Sequence, residues 1–103
     1  MGLYQILFGG SNKPRVTSKE FKKARVDLMS GGMSRRHRDR VEEIFSGDLY
    51  DEKETESHPK GLEASEIDSR IKWMRENKSK HGLSDHEINE VEAALKKRLN
   101  SHL

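Results

Sequence analysis

The chain has 103 residues, of which 31% are hydrophobic and 37% are charged, and it contains no cysteine. A chain of this length holds one modest core, and the lack of cysteine excludes disulfide bonds, thiolate nucleophiles and cysteine-ligated zinc, which favours a cytoplasmic location. The net charge of +2 is uneven, because residues 1–46 carry ten Lys and Arg against five Asp and Glu, whereas residues 47–103 carry ten against thirteen. The oppositely charged halves favour docking within the chain, association between copies, or an anionic partner for the first half.

The first eight residues form an apolar segment that a Gly-Gly pair separates from the rest of the chain, so we divide the chain into residues 1–15 and one helical domain of residues 16–103. This segment could dock on the protein's own core, in a partner's groove or at a membrane surface. Its candidate docking residues are Leu3, Tyr4, Ile6, Leu7 and Phe8. No apolar run reaches the roughly 18 residues of a membrane span, and the N-terminus lacks the features of a signal peptide, so we expect no integral membrane protein.

The sequence pattern of residues 16–46 predicts a first helical hairpin. Thr17 and Glu20 have the spacing of a capping box that starts a helix. Gly31-Gly32 separates this helix from a second one, which ends at Ser46-Gly47. The apolar positions recur at helical spacing, and they are Phe21, Ala24 and Leu28 in the first helix and Val41, Ile44 and Phe45 in the second.

The composition of residues 47–61 predicts an acidic linker, and the sequence pattern of residues 62–103 predicts a second hairpin. Its first helix begins near Ser65, which can cap the helix, and fades before His81-Gly82. Its second helix opens with another capping box, Ser84 and Glu87. The apolar positions are Ala64, Ile67, Ile71 and Met74, followed by Ile88, Val91, Leu95 and Leu99.

A shift of fifty residues relates the two hairpins. Gly32-Met33-Ser34 then falls on Gly82-Leu83-Ser84, and Phe21-Lys22 falls on Ile71-Lys72. Glycine can end a helix in the left-handed conformation, the apolar residue packs beneath the turn and serine caps the next helix. We therefore predict an all-α fold of four helices, arranged as two helix-loop-helix hairpins that arose by internal duplication and share one core.

The densest local feature is a group of arginines at the start of the second helix. Positive charge opposes the helix dipole there, so something should offset it. Three explanations compete: pairing with the acidic start of the fourth helix, binding of phosphates, and a solvated face. Arg38 falls toward the core edge, where it could snorkel or pair with a carboxylate. The candidate surface comprises Arg35, Arg36, Arg38 and Arg40, with Lys19, Lys22 and Lys23.

We identify no catalytic residue, metal site or cofactor site. The loops within the hairpins lack the carboxylates of a calcium loop, and the acidic linker lacks its alternating ligands and central glycine. His81 and His86 could approach each other across a turn, but two ligands without a suitably placed carboxylate or third histidine do not make a zinc site, so they are interpreted as surface histidines. No serine or carboxylate lies in a motif that would activate it, so we expect a protein that is not an enzyme.

The sequence therefore predicts a non-enzymatic helical interaction module that binds a protein partner or its own copy. The alternative is a nucleic-acid-binding protein that uses the arginine-rich helix start. A third hypothesis is a peripheral membrane-associated factor that is anchored through residues 1–8.

Overall fold

A computed structural model describes residues 14–49 and 61–101. Within these ranges the chain forms five α-helices, which confirms the predicted all-α class. The helices are α1 (Ser18–Ser30), α2 (Arg35–Leu49), α3 (Ala64–Glu76), α4 (Lys78–His81) and α5 (Asp85–Asn100). None of these helices is long and apolar enough to cross a membrane. The predictions for Leu3, Tyr4, Ile6, Leu7 and Phe8, and for most of the acidic linker, lie outside the described residues.

The capping boxes that were predicted for α1 and α5 are present. The Thr17 hydroxyl accepts a hydrogen bond from the backbone N–H of Glu20 at 3.2 Å, and the Glu20 carboxylate accepts one from the backbone N–H of Thr17 at 3.0 Å. Ser84 and Glu87 make the same reciprocal pair, at 3.2 and 3.0 Å. Each pair satisfies two backbone donors that a helix start would otherwise leave without a partner.

The start of α3 differs from the prediction. The helix begins after Glu63, whose backbone N–H donates to the Glu66 carboxylate at 2.8 Å, and Ser65 lies exposed inside the first turn. The physical reason is the preceding residue, because Leu62 is fully buried and its backbone is held in an antiparallel bridge with Val16. The chain is therefore fixed directly before Glu63, and the helix starts there.

The predicted end of α2 is also wrong. The helix continues through Gly47 to Leu49 and so includes residues that we assigned to the acidic linker. Leu49 is fully buried, and the Asp48 carboxylate accepts a hydrogen bond from Arg70 of α3 at 3.1 Å. Glycine inside a helix costs about 1 kcal/mol, which is less than the gain from burying one leucine, roughly 1.5–3 kcal/mol.

A short helix, α4, connects α3 to α5 and was not predicted. It positions His81, which is buried and not on the surface as its sequence context suggested. The His81 ring donates from Nε2 to the Met74 carbonyl at 2.7 Å and accepts at Nδ1 from the backbone N–H of Leu83 at 3.0 Å. These two partners fix the orientation of the ring, and the centroid of the Trp73 ring lies 5.9 Å from its centroid.

The residues that cap the second helix of each hairpin are fifty residues apart, but those that precede the first helix of each hairpin are not. Glu63 follows Thr17 by 46 residues, whereas Ser84 follows Ser34 by 50. The four residues of α4 account for the difference in length. The pairing of Phe21 with Ile71 is therefore replaced by one in which Phe21 and Ile67 both take the fourth position after the cap.

One core is shared by all the long helices and by the segments before α1 and α3. Its centre includes Phe21 and Phe45, whose ring centroids lie 6.0 Å apart. The buried apolar residues are Val16, Phe21, Ala24, Leu28, Met33, Val41, Phe45, Leu49, Leu62, Ile67, Ile71, Met74, Leu83, Ile88, Val91, Ala94, Leu95 and Leu99. Burying these side chains together provides the main stabilisation that the short hairpins would lack separately.

The extended end of α2 gives a direct test. We expect Gly47→Ala to increase the free energy of unfolding by about 0.5–1 kcal/mol, because alanine favours a helix and a Cβ at Gly47 meets nothing within 4 Å. Urea unfolding followed by the fluorescence of Trp73, the single tryptophan, measures the change. Gly32→Ala is the matched control and should destabilise, since Gly32 has φ +97°. A neutral or destabilising Gly47→Ala would contradict the helical assignment.

Candidate functional site

One arginine of α1 bridges to α2. Arg25 of α1 donates to the carboxylates of Asp39 at 2.7 Å and Glu42 at 2.6 Å, both on α2. The hydrogen bond from Arg25 lowers the pKa of Asp39, and the bond to Glu42 raises the pKa of Arg25. Arg25 therefore pairs with two carboxylates of α2 and joins the two helices.

Two of the predicted surface arginines have partners inside this hairpin. Arg38 is half-buried, and its Nε donates to the Met33 carbonyl at 3.2 Å. It lies at the core edge as predicted, but its partner there is a backbone carbonyl and not a carboxylate. Arg40 lies 3.7 Å from the Glu43 carboxylate, one helical turn away.

Five of the predicted cations are exposed and make no ion pair in the described part of the chain. We call them the unpaired cations, and they are Lys19, Lys22, Lys23, Arg35 and Arg36. The lysines lie in the first half of α1, and the arginines open α2. The lysines lie far from the turn at residues 31–34 and the arginines lie directly after it, so the seven predicted residues are divided between two regions of the hairpin.

Exposed apolar side chains lie between the two groups. Val26 and Met29 of α1 are 53% and 50% exposed. Lys19, Lys22, Val26 and Met29 follow each other at intervals of three or four residues and therefore share one face of the helix. We call these four residues the α1 stripe. Sequence reasoning overlooked the apolar pair, because it followed the buried positions of α1 and did not examine the opposite face.

The arginine-rich start of α2 does meet the acidic start of α5, but through a histidine. Nδ1 of His37 lies 2.6 Å from a carboxylate oxygen of Glu87. Burial tends to raise the pKa of Glu87, but the hydrogen bonds from His37 and from the Ser84 backbone outweigh it, so the pKa is lowered overall. The contact joins the two hairpins, and Glu87 also completes the cap of α5.

Further ion pairs join the hairpins on other sides. Arg98 of α5 donates to Asp27 of α1 at 2.8 Å, and Arg70 of α3 donates to Asp48 of α2 at 3.1 Å. These carboxylates are occupied within the fold. The positive charge on the outer surface of α1 and the start of α2 is therefore not neutralised by them.

No group of three or more His, Cys, Asp or Glu side chains that could hold a metal ion occurs in residues 14–49 and 61–101. Comparison with protein families, with curated proteins and with solved structures finds no match. The interpretation of the site therefore depends on the geometry of these side chains.

The contact between His37 and Glu87 predicts a pH dependence of stability. The folded pKa of Glu87 lies below its ordinary value of 4.5, so its contribution is present above that value and is lost as the pH falls through the folded pKa. We expect Glu87→Gln to be less stable than the native chain near neutral pH and to lose less stability on acidification. Glutamine can still complete the capping box, so the comparison isolates the charge.

Urea unfolding at a series of pH values, followed by Trp73 fluorescence, measures both effects. Glu76→Gln is the control, because Glu76 is exposed and makes no ion pair in the described residues. Identical pH profiles for Glu87→Gln and the native chain would refute the assignment.

Proposed function

We propose that the chain is a non-enzymatic interaction module that binds a protein partner through the α1 and α2 hairpin. The observation that carries this proposal is the unequal pairing of charges on the hairpin. Five of its carboxylates, Asp27, Asp39, Glu42, Glu43 and Asp48, make ion pairs, whereas the unpaired cations make none in the described residues. Exposed charges that contribute nothing to folding contacts are available for a partner.

The module acts without a catalytic residue or a cofactor in this proposal. The sequence has no nucleophile or phosphate-binding motif in a context that would activate it, and its lack of cysteine suits the reducing cytoplasm. The charge difference between the two halves also allows association between copies as a form of the same function.

Binding of nucleic acid is the second candidate. It is supported by Arg35 and Arg36, which are exposed at a helix start, where backbone donors also attract phosphate. It is disfavoured by Val26 and Met29, because the space between the two groups of cations is apolar. A membrane-associated role would depend on residues 1–8, which lie outside the described residues.

We also propose that the two hairpins are variants of one repeated unit. Contacts between equivalent positions support this: Val16 bridges Leu62, each directly before a cap, and His37 contacts Glu87, each third after its capping serine. In an arrangement with two-fold symmetry, residues near the axis contact their own equivalents. The units have diverged in outward charge, and the basic unit carries the proposed binding surface.

Affinity purification of the full chain from its native cells tests the protein-binding proposal. A variant with Lys22→Glu, Lys23→Glu and Arg36→Glu reverses three of the unpaired cations, and Lys72→Glu with Lys80→Glu is the control at exposed lysines elsewhere. We expect the native chain and the control to recover the same proteins and the hairpin variant to lose them, as measured by mass spectrometry. Circular dichroism checks that all three are folded.

Two results would contradict the proposal. If the hairpin variant recovers the same proteins as the native chain, the surface does not bind them. If the recovered material is nucleic acid that disappears after nuclease treatment, and its binding weakens steeply with salt, the second candidate replaces the first.

A further inference from the structure

We propose that the α1 stripe docks an acidic amphipathic helix, whose apolar side chains cover Val26 and Met29 and whose carboxylates pair with the cations on either side. This inference names the partner's chemistry and rests on the proposed function. It goes beyond that function because it assigns a particular face of one helix and excludes other ligand classes.

The apolar centre of the site is unusual for this protein. Val26 and Met29 are 53% and 50% exposed, whereas the apolar side chains on the opposite face of α1, among them Phe21 and Leu28, are at most 4% exposed. The α1 stripe has the alternating three- and four-residue spacing of a coiled-coil seam. A partner helix with apolar residues at the same spacing can therefore pack along it.

Cations lie at both ends of this apolar centre. Lys22 and Lys23 precede Val26 by one turn. Met29 follows Arg25 by four residues, and Arg35 precedes Asp39 by four. Because Arg25 contacts Asp39, Met29 and Arg35 both lie between that contact and the turn that joins α1 to α2.

Three carboxylates of the hairpin pair with arginines and not with these cations. Arg25 neutralises Asp39 and Glu42 on the side that faces α2. Arg98 neutralises Asp27 on the side that faces α5. The lysines of the stripe therefore make no ion pair in the described residues, and a partner with the same apolar spacing but with basic flanks would be repelled by them.

An acidic helix fits this surface better than the alternative ligands. A nucleic acid would place phosphates or bases over Val26 and Met29, where residues 14–49 expose no aromatic side chain for stacking. Only two apolar side chains of the stripe could insert into an anionic bilayer, which gives marginal anchoring. A second copy that docked by the same face would present further lysines and no carboxylate to pair with the cations.

The probe is a synthetic peptide of about three heptads with Leu at a and d and Glu at e and g, and its matched control carries Lys at e and g. Fluorescence anisotropy with the full chain at low salt measures binding. We expect saturable binding of the Glu peptide and none of the Lys peptide. Lys22→Glu with Lys23→Glu should weaken binding about tenfold or more, since two attractive contacts become repulsive.

A second variant tests the apolar contact separately. Val26→Ser with Met29→Ser should also weaken binding about tenfold, because it removes apolar area from the interface while leaving every charge in place. Both residues are exposed, so this variant is expected to fold. Lys72→Glu with Lys80→Glu should bind the Glu peptide like the native chain.

Equal binding of the Glu and Lys peptides would overturn the inference, and so would serine variants that bind normally. It would also be overturned if duplex DNA or vesicles containing phosphatidylserine bind the chain while the Glu peptide does not.

If the Glu peptide does not bind but affinity purification still recovers proteins whose binding depends on the hairpin charges, the inference fails and the proposed function stands. If the hairpin charges do not affect that recovery, the proposed function itself fails.

Discussion

The backbones of Val16 and Leu62 exchange two hydrogen bonds, each of 2.9 Å, and this contact holds the starts of α1 and α3 side by side. Gly61 permits the close approach, because a Cβ on it would meet the Val16 carbonyl oxygen at 3.0 Å and its φ is +136°. Arg15 and Glu63 add an ion pair of 2.9 Å next to the bridge. A helical hairpin of this size cannot bury its apolar face alone, so the fold depends on the two hairpins meeting in this register.

The same register determines which charges are used inside the molecule. Ion pairs such as Asp27 with Arg98 and Asp48 with Arg70 connect different helices, and each is partly exposed. Pairs of this kind contribute little to stability individually, so their main effect is to orient the helices and to occupy the carboxylates. The exposed cations of α1 and the first turn of α2 remain without such partners in the described residues, and they carry the proposed binding function.

Much of the fold could be predicted from local signals. The caps at Thr17 and Ser84 were predictable because a capping box depends on residues three apart in the sequence. The end of α2 was not predictable, because a glycine usually ends a helix. Only the burial of Leu49 against distant residues outweighs this preference of glycine. Likewise, the burial of His81 depends on a carbonyl of α3 that no local pattern identifies.

The candidate site was predicted only in part. Sequence patterns identified its cations, but they could not separate Arg38, which turns to the Met33 carbonyl, from Arg35, which stays exposed. That difference depends on how the turn closes. Val26 and Met29 carried a signal at helical spacing on the face opposite the core, which a search for a second apolar stripe could have found.

The bridge between Val16 and Leu62 joins the two hairpins, and we expect them to unfold as one cooperative unit. Native-state hydrogen exchange by NMR tests this claim most directly, because the free energy of opening is measured for each amide. We predict that the amides of Val16 and Leu62 open with the same free energy as that of Val91 in the core of α5. Rapid exchange of both bridge amides while Val91 stays protected would contradict this prediction.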